Sequence, residues 1–239
     1  ELIPQFTDAV ADVRGRAAGK IVVRGTIQHP VIAGALALDR GNVRIVPSGT
    51  TLQNVAGYIR MQRDTVYVDS LAARAGGPVR LSGTIGLATL TNPVFDLRLF
   101  AQNARVLDNE MGNLRGDAEL TLAGPMSAAY ISGRTRVRSG VIYLPESDNK
   151  SVISAGDPAL FNVVDTSVVT DRELLPTQSP LLAGLRMDVT LNVSRNTWVR
   201  SREANVEIYT ADEGLTVHVD RAKQTLALDG VVSTDNGQY

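Results

Sequence analysis

The sequence predicts an all-β protein of many short strands, and three observations carry that reading. Apolar residues recur at every second position in run after run. Gly, Asn, Asp and Pro punctuate the runs. A pattern of glycines also repeats within the chain. In "MDVTLNVS", Met187, Val189, Leu191 and Val193 fall on one side and Asp188, Thr190, Asn192 and Ser194 on the other. That is the period of a strand with one buried face. "TVYVDSLA", "FDLRLFAQ", "AELTLAG", "LTVHVD" and "QTLALDG" follow the same rule. The punctuating residues tolerate the dihedrals of turns, as in "DRGN" at 39–42, "QRD" at 62–64, "AGGP" at 75–78 and "TNP" at 91–93. Strands are therefore expected about every 8 to 12 residues.

The elements divide into four stretches. Residues 1–18 read as an irregular lead-in or a short helix over Phe6–Val13. Residues 19–144 form a first β segment. Residues 145–184 are polar, carry Pro145, Pro158, Pro176 and Pro180, and lose the alternation. They read as a mobile insert with one short helix near 157–165, because Asp157 can cap it and Pro158 suits its first position. Residues 185–239 form a second β segment that continues the same sheet.

Gly25, Gly34 and Gly41 are echoed by Gly124, Gly133 and Gly140, each 99 positions on. "IVVRGTI", "VRLSGTI" around Gly83, "ELTLAGPM" and "LALDGVV" around Gly230 share the strand-then-glycine element. These glycines are expected to be structural turn points, where φ is positive or a bulge bends the sheet. Repeated units of this kind point to stacking, each unit burying its apolar face against its neighbours.

Composition removes several classes of function. The chain has 239 residues, 44% hydrophobic and 21% charged, with aromatics at only 5%, so its buried surface is aliphatic. Lys and Arg number 24 against 25 Asp and Glu, spread along the chain, which argues against a nucleic-acid partner. There are no cysteines, hence no disulfide, thiolate metal site or thiol nucleophile. The longest apolar run, "VIAGALAL" at 31–38, is too short for a helical membrane span of about 20 residues, and no signal peptide is expected. His218 lies on the polar side of its strand and His29 sits before Pro30 in a turn; both read as surface residues. "GRAAGK" at 15–20 is one residue short of a phosphate loop and is followed by Ile21 instead of Ser or Thr. No catalytic cluster, metal site or cofactor motif is present, and no enzymatic activity is expected.

A sheet that is apolar on one side must cover that side with a second layer, a closed barrel or a ligand. About 15 strand runs stacked at about 4.8 Å would reach roughly 70 Å at most. Whether the apolar face is open or closed on itself as a sandwich core is left undecided by the residues alone.

The stretches "VRGTIQHPVIAGALALDRGNVRI", "YISGRTRVRSGVIYLPE", "RNTWVRSREANVEI" and "LALDGVVSTDNGQY", in that order, resemble the C-terminal domain of the TamB family of AsmA-like proteins. The resemblance covers roughly residues 13–239. It implies a long curved sheet bent into an open half-pipe, β-taco-like, with an apolar inner groove. The alternation then assigns the groove lining to Leu36, Leu38, Val66, Val68, Leu97, Leu99, Leu120, Leu122, Met187, Val189, Leu191, Val193, Val217, Val219, Leu226 and Leu228. It also implies a periplasmic setting, with the parent protein anchored in the inner membrane of a diderm bacterium. The implied function is outer-membrane biogenesis, with phospholipid acyl chains carried along the groove between membranes and barrel-protein assembly assisted. The implied partner is an Omp85-type outer-membrane barrel or another membrane protein complex. The family's N-terminal anchor has no counterpart in these residues, and members usually continue beyond the point of Tyr239, with the barrel contact expected near their very end. The alternative is a TamB-like β module acting as a periplasmic scaffold subunit of a larger membrane complex.

Overall fold

The computed structural model describes residues 10–26, 30–144 and 183–238. They form one open, curved sheet with almost no helix. The first eight strands are an antiparallel meander: β1 (Val10–Gly25), β2 (Pro30–Ile45), β3 (Thr51–Arg63), β4 (Thr65–Arg74), β5 (Pro78–Gly86), β6 (Val94–Asn109), β7 (Gly112–Pro125) and β8 (Tyr130–Tyr143). Seven shorter strands complete the sheet: β9 (Arg186–Val193), β10 (Thr197–Arg200), β11 (Asn205–Thr210), β12 (Leu215–Asp220), β13 (Thr225–Asp229), β14 (Val232–Ser233) and β15 (Gly237–Gln238). Among the described residues no helix is long and apolar enough to cross a membrane. The helix expected near 157–165 lies outside the described residues.

Two expectations are corrected here. The lead-in expected over 1–18 is strand from Val10 onward, because β1 pairs with β2 along its length and that ladder overrides the helical tendency of "AVADV". The strands of the meander are also longer than expected, up to 16 residues. "DRGN" is no hairpin turn: β2 runs through it, and Arg40 with Gly41 forms a bulge marked by a register shift. By contrast, "QRD" and "AGGP" do join β3 to β4 and β4 to β5.

At β8 the sheet changes character. β9 and β10 both pair with β8 in parallel, β9 along residues 130–137 and β10 along 140–143. A parallel neighbour needs a crossover of a dozen or more residues, and the chain between Tyr143 and Arg186 supplies that length. β9 and β10 behave as one strand broken at 194–196, and β12 and β11 form the antiparallel strand beside it, broken at 211–214. β13 extends the sheet beside β12, while β14 and β15 extend it beside β11. The 15 strands thus make a path eleven strands wide, which at about 4.8 Å per step spans about 50 Å, less than the strand count alone implies.

Most of the strands are interrupted at one common level. Asp12 in β1, Arg40 in β2, Asn54 in β3 and Asn103 in β6 have φ near +50°, each at a register shift with a neighbouring strand. β4 and β5 turn at 75–77 on this line, β7 and β8 shift register at Arg115/Gly116, and the later strands break there. Bulges bend and twist the strand that carries them. Lined up across the sheet, they make a crease.

Inside the crease the side chains are small: Ala75, Val79, Ala101, Ala104 and Ala118 form a buried cluster, with Leu52, Leu99 and Leu120 against it. The β2–β3 turn reaches over the short β4–β5 hairpin to β6, where the Asp108 N–H donates to the Ser48 carbonyl at 2.8 Å.

The glycine echo is a structural repeat. The β1–β2 and β7–β8 hairpins share one register, since Ile21 faces Gly34 as Leu120 faces Gly133. Gly25 and Gly124 have φ of 88° and 90°, and Gly34 and Gly133 have 145° and 136°. A Cβ on Gly34 would lie 2.0 Å from the Lys20 carbonyl oxygen, and one on Gly133 would lie 2.1 Å from that of Glu119, again 99 residues apart. Neither position can carry a side chain without moving the adjacent strand. Gly133→Val is therefore expected to cost more than about 3 kcal/mol from backbone strain and steric overlap. Gly86→Ala, whose added Cβ meets nothing closer than 3.7 Å, should be neutral or slightly stabilising. Urea unfolding followed by circular dichroism compares the two; equal midpoints would show that the glycine is dispensable.

Candidate functional site: the concave apolar face

The cross-strand register gathers the alternating residues into rows. One runs Leu36, Ile59, Val68, Gly83, Leu97, Leu122, Ile131, Met187, Val219, Leu226, from β2 to β13. The next runs Leu38, Gly57, Leu71, Leu81, Leu99, Leu120, Gly133, Val189, Val217, Leu228. Val66 flanks the first row and faces Ile85, Leu191 faces Leu215 beyond the second, and Val193 faces Val137. Every residue assigned to the lining from the sequence therefore lies on one face.

That face is the inside of the curve. Among the described residues no second layer packs on it, yet Val68 is 5% exposed, Leu97 9% and Val189 6%. Asp96, Arg98, Arg134 and Arg136, on the opposite face of the same strands, are exposed. Curvature toward the apolar side, with leucine and valine packed row against row, accounts for this difference. The cover weakens toward the rims, where Leu226 is 61% and Leu228 64% exposed. The sheet edges at β1 and β13 have no partner strand among the described residues. The sandwich alternative is thereby corrected: the sheet is open.

Of the glycines expected at turns, Gly25 ends β1, Gly124 is the penultimate residue of β7 and Gly230 follows β13. Gly34, Gly41, Gly83, Gly133 and Gly140 lie within strands instead. Gly83 and Gly133 occupy positions in the apolar rows themselves, and Gly34 lies beside the first row on the same face, opposite Met61. The lining also contains residues missed in the sequence, notably Ile59, Leu71, Leu81 and Ile131. Leu81 alternates with Val79 and Ile85 and was legible there. Leu71 was hidden by the register shift between Val68 and Leu71.

The outer face is charged, and several of its arginines pair with carboxylates. Arg60 binds Asp69 through two nitrogens at 2.5 and 2.6 Å and holds its carboxyl below the usual range. Arg195 pairs with Asp235 at 2.6 Å and stacks over Tyr209 with 4.0 Å to the ring centroid. His218 contacts Asp188, which also accepts a 2.7 Å bond from the Tyr130 hydroxyl. The Tyr130 bond is the larger cause of the lowered Asp188 carboxyl pKa, with His218 second. Burial pushes the Asp117 carboxyl up, but hydrogen bonds from the Arg138 guanidinium and the Asn103 N–H outweigh it and leave the group below its ordinary value. A depression of about 500 Å³ on this side is lined by polar groups such as Glu119, Arg134, Arg136, Thr190 and Asp212. No group of three or more His, Asp or Glu among the described residues could hold a metal ion.

An open sheet creased along its length, apolar within and charged without, defines a trough-forming β protein. The chain belongs to the TamB C-terminal domain family, matched over residues 69–239. β1 to β3 lie ahead of the matched region in the same sheet. The chain is also similar to the rice protein SUBSTANDARD STARCH GRAIN 4, chloroplastic, with 26% identity over 59% of this chain and 7% of that protein. It is 24% identical to Arabidopsis TIC236, chloroplastic, over 56% of this chain and 6% of that one. The matched part of the chain thus corresponds to a small fraction of each of these relatives. No solved structure matches.

The Asp117 pair sets a pH-dependent test. A carboxyl lowered on folding stabilises the fold above its unfolded pKa of about 4, and that stabilisation fades as pH falls through the folded value. Asp117→Asn should destabilise by about 1 kcal/mol at neutral pH. The difference from wild type should shrink as pH drops below about 4. Urea melts at several pH values measure it, and a pH-independent gap would assign the loss to something other than charge.

Proposed function

We propose that this chain is the groove-forming part of an envelope protein that carries phospholipid between two membranes, its acyl chains lying on the concave face. The single observation behind this is the pair of apolar rows that run without a charged residue from β2 to β13. Acyl chains gain about 0.8 kcal/mol per buried CH₂ and need no directional partner, so a lengthwise aliphatic surface holds them at any point along it. Small residues at the crease keep the floor of the trough shallow, and the open rims give a flexible chain entry from the side. Family membership supports a role in envelope biogenesis, which includes assistance to barrel-protein assembly. The relatives named chloroplastic fit a compartment bounded by two membranes, periplasmic in a diderm bacterium, with the parent protein anchored in the inner membrane. The trough works as a conduit and catalyses nothing.

A second reading draws on the rims. The β13 edge leaves backbone groups unpaired beside exposed Leu226 and Leu228, a template for an added strand. Through it the module would dock as a scaffold on an Omp85-type barrel or another membrane complex.

A photo-crosslinking amino acid placed at Leu99 or Leu120, against Arg98 or Glu119, distinguishes the two faces. Phospholipid adducts detected by mass spectrometry should form at the first pair and not at the second. Equal labelling of both faces, or none at either, would sink the conduit. Val217→Asp is expected to lower the lipid that co-purifies several-fold while leaving the circular dichroism spectrum intact. Recovery of the chain from native membranes with one fixed stoichiometric partner, and without lipid, would favour the scaffold.

A further inference from the structure

The outer face of β1 carries a run of cations, and between residues 13 and 38 there are four Lys and Arg and no Asp or Glu. In β1, Arg14, Arg16, Lys20 and Arg24 stand on the side opposite Ile21 and Val23, all exposed. None of them has an ion-pair partner among the described residues, while Arg60, Arg134, Arg138 and Arg195 further along the sheet each have a carboxylate. Across from them on β2, Lys20 faces Ala35, Arg24 faces Val31 and Arg14 faces Asn42, while Arg16 faces Asp39, whose carboxylate pairs with Arg40. Between residues 10 and 45 there are six Lys and Arg against two Asp, in a chain whose total is slightly negative. Beside this row, on the inner side of the same edge strand, Ile21 is 42% and Val23 66% exposed.

We propose that the β1 rim, through Arg14, Arg16, Lys20 and Arg24, docks on a bilayer surface containing anionic phospholipid. A strand rises about 3.4 Å per residue, so the row extends over about 34 Å, long enough to meet several headgroups at once. Juxtamembrane Lys and Arg gain attraction from an anionic leaflet, and exposed apolar side chains beside them enter the interface. A nucleic acid is the poorer fit, since β1 and β2 contain no aromatic residue on which a base could stack. The site is separate from the groove and does not depend on lipid lying there. It adds a place where the trough meets a membrane.

The test is co-sedimentation of the 239-residue chain with phosphatidylcholine vesicles, with and without phosphatidylglycerol. Binding is expected only with phosphatidylglycerol and should weaken with added salt. Arg14→Gln, Arg16→Gln, Lys20→Gln and Arg24→Gln together should reduce it by about a hundredfold or more. A matched control removes four exposed cations elsewhere, Arg63→Gln, Arg74→Gln, Arg80→Gln and Arg98→Gln, and should retain most of the binding. Should the fourfold β1 variant fail to fold, Lys20→Gln and Arg24→Gln singly should each show a several-fold loss. Wild type that ignores phosphatidylglycerol overturns the proposal. So do equal losses in the two fourfold variants, or β1 variants that self-associate while binding vesicles normally, which would make the cations guards of the strand edge. Groove crosslinking run on the same variants reads the conduit separately and is expected to be unchanged.

Discussion

A sheet with no second layer has to hide its own apolar side, and the rest of this structure answers to that demand. Flat, the rows from Leu36 to Leu226 and from Leu38 to Leu228 would face water along their whole length. The bulges at Asp12, Arg40, Asn54 and Asn103, the turn at 75–77 and the breaks at 194–196 and 211–214 fall on one line. Strand ends can therefore swing inward together without tearing the hydrogen-bond ladder. The backbone sets the curvature, and the side chains follow: alanine where the bend is tight, leucine and valine where it opens.

The two faces then take different chemistry for a physical reason. Inside, contact area is what stabilises, and any carboxylate would lose its hydration without gaining a partner. Outside, charges stay hydrated, and cross-strand pairs such as Arg60 with Asp69 or Arg138 with Asp117 add modest attraction while discouraging wrong registers. This division lets the inner surface be uniform over many strands, which suits a ligand recognised by its apolar length.

Much of this was legible in the sequence because a strand's period is independent of its neighbours. Met187, Val189, Leu191 and Val193 announce a common face whatever lies beside them, and the register puts Leu36, Val68, Leu97 and Val217 on that same face. What the sequence concealed is what depends on pairing. "DRGN" carries turn residues, and only its position against β3 makes it a bulge in a long strand. Leu71 falls out of phase with Val68 because the strand shifts register between them. Gly34 and Gly133 signalled their importance by spacing, but their reason, a neighbouring carbonyl where a Cβ would go, is invisible without the adjacent strand. The unpaired state of Arg14, Arg16, Lys20 and Arg24 was hidden in the same way, since whether an arginine meets a carboxylate depends on the register and side-chain reach across neighbouring strands.

The parallel junction of β8 with β9 also divides the chain by the order in which it can assemble. Each pairing in the meander joins strands that are consecutive in sequence, so the loops to be closed are short and the entropy lost in closing them is small. Joining β9 to β8 brings together residues such as Val137 and Val193, across a far longer loop. Contacts of high sequence separation form late and slowly. The first eight strands can thus form their ladder before the last seven arrive, and β8 is for that interval an open edge on which the remainder is templated.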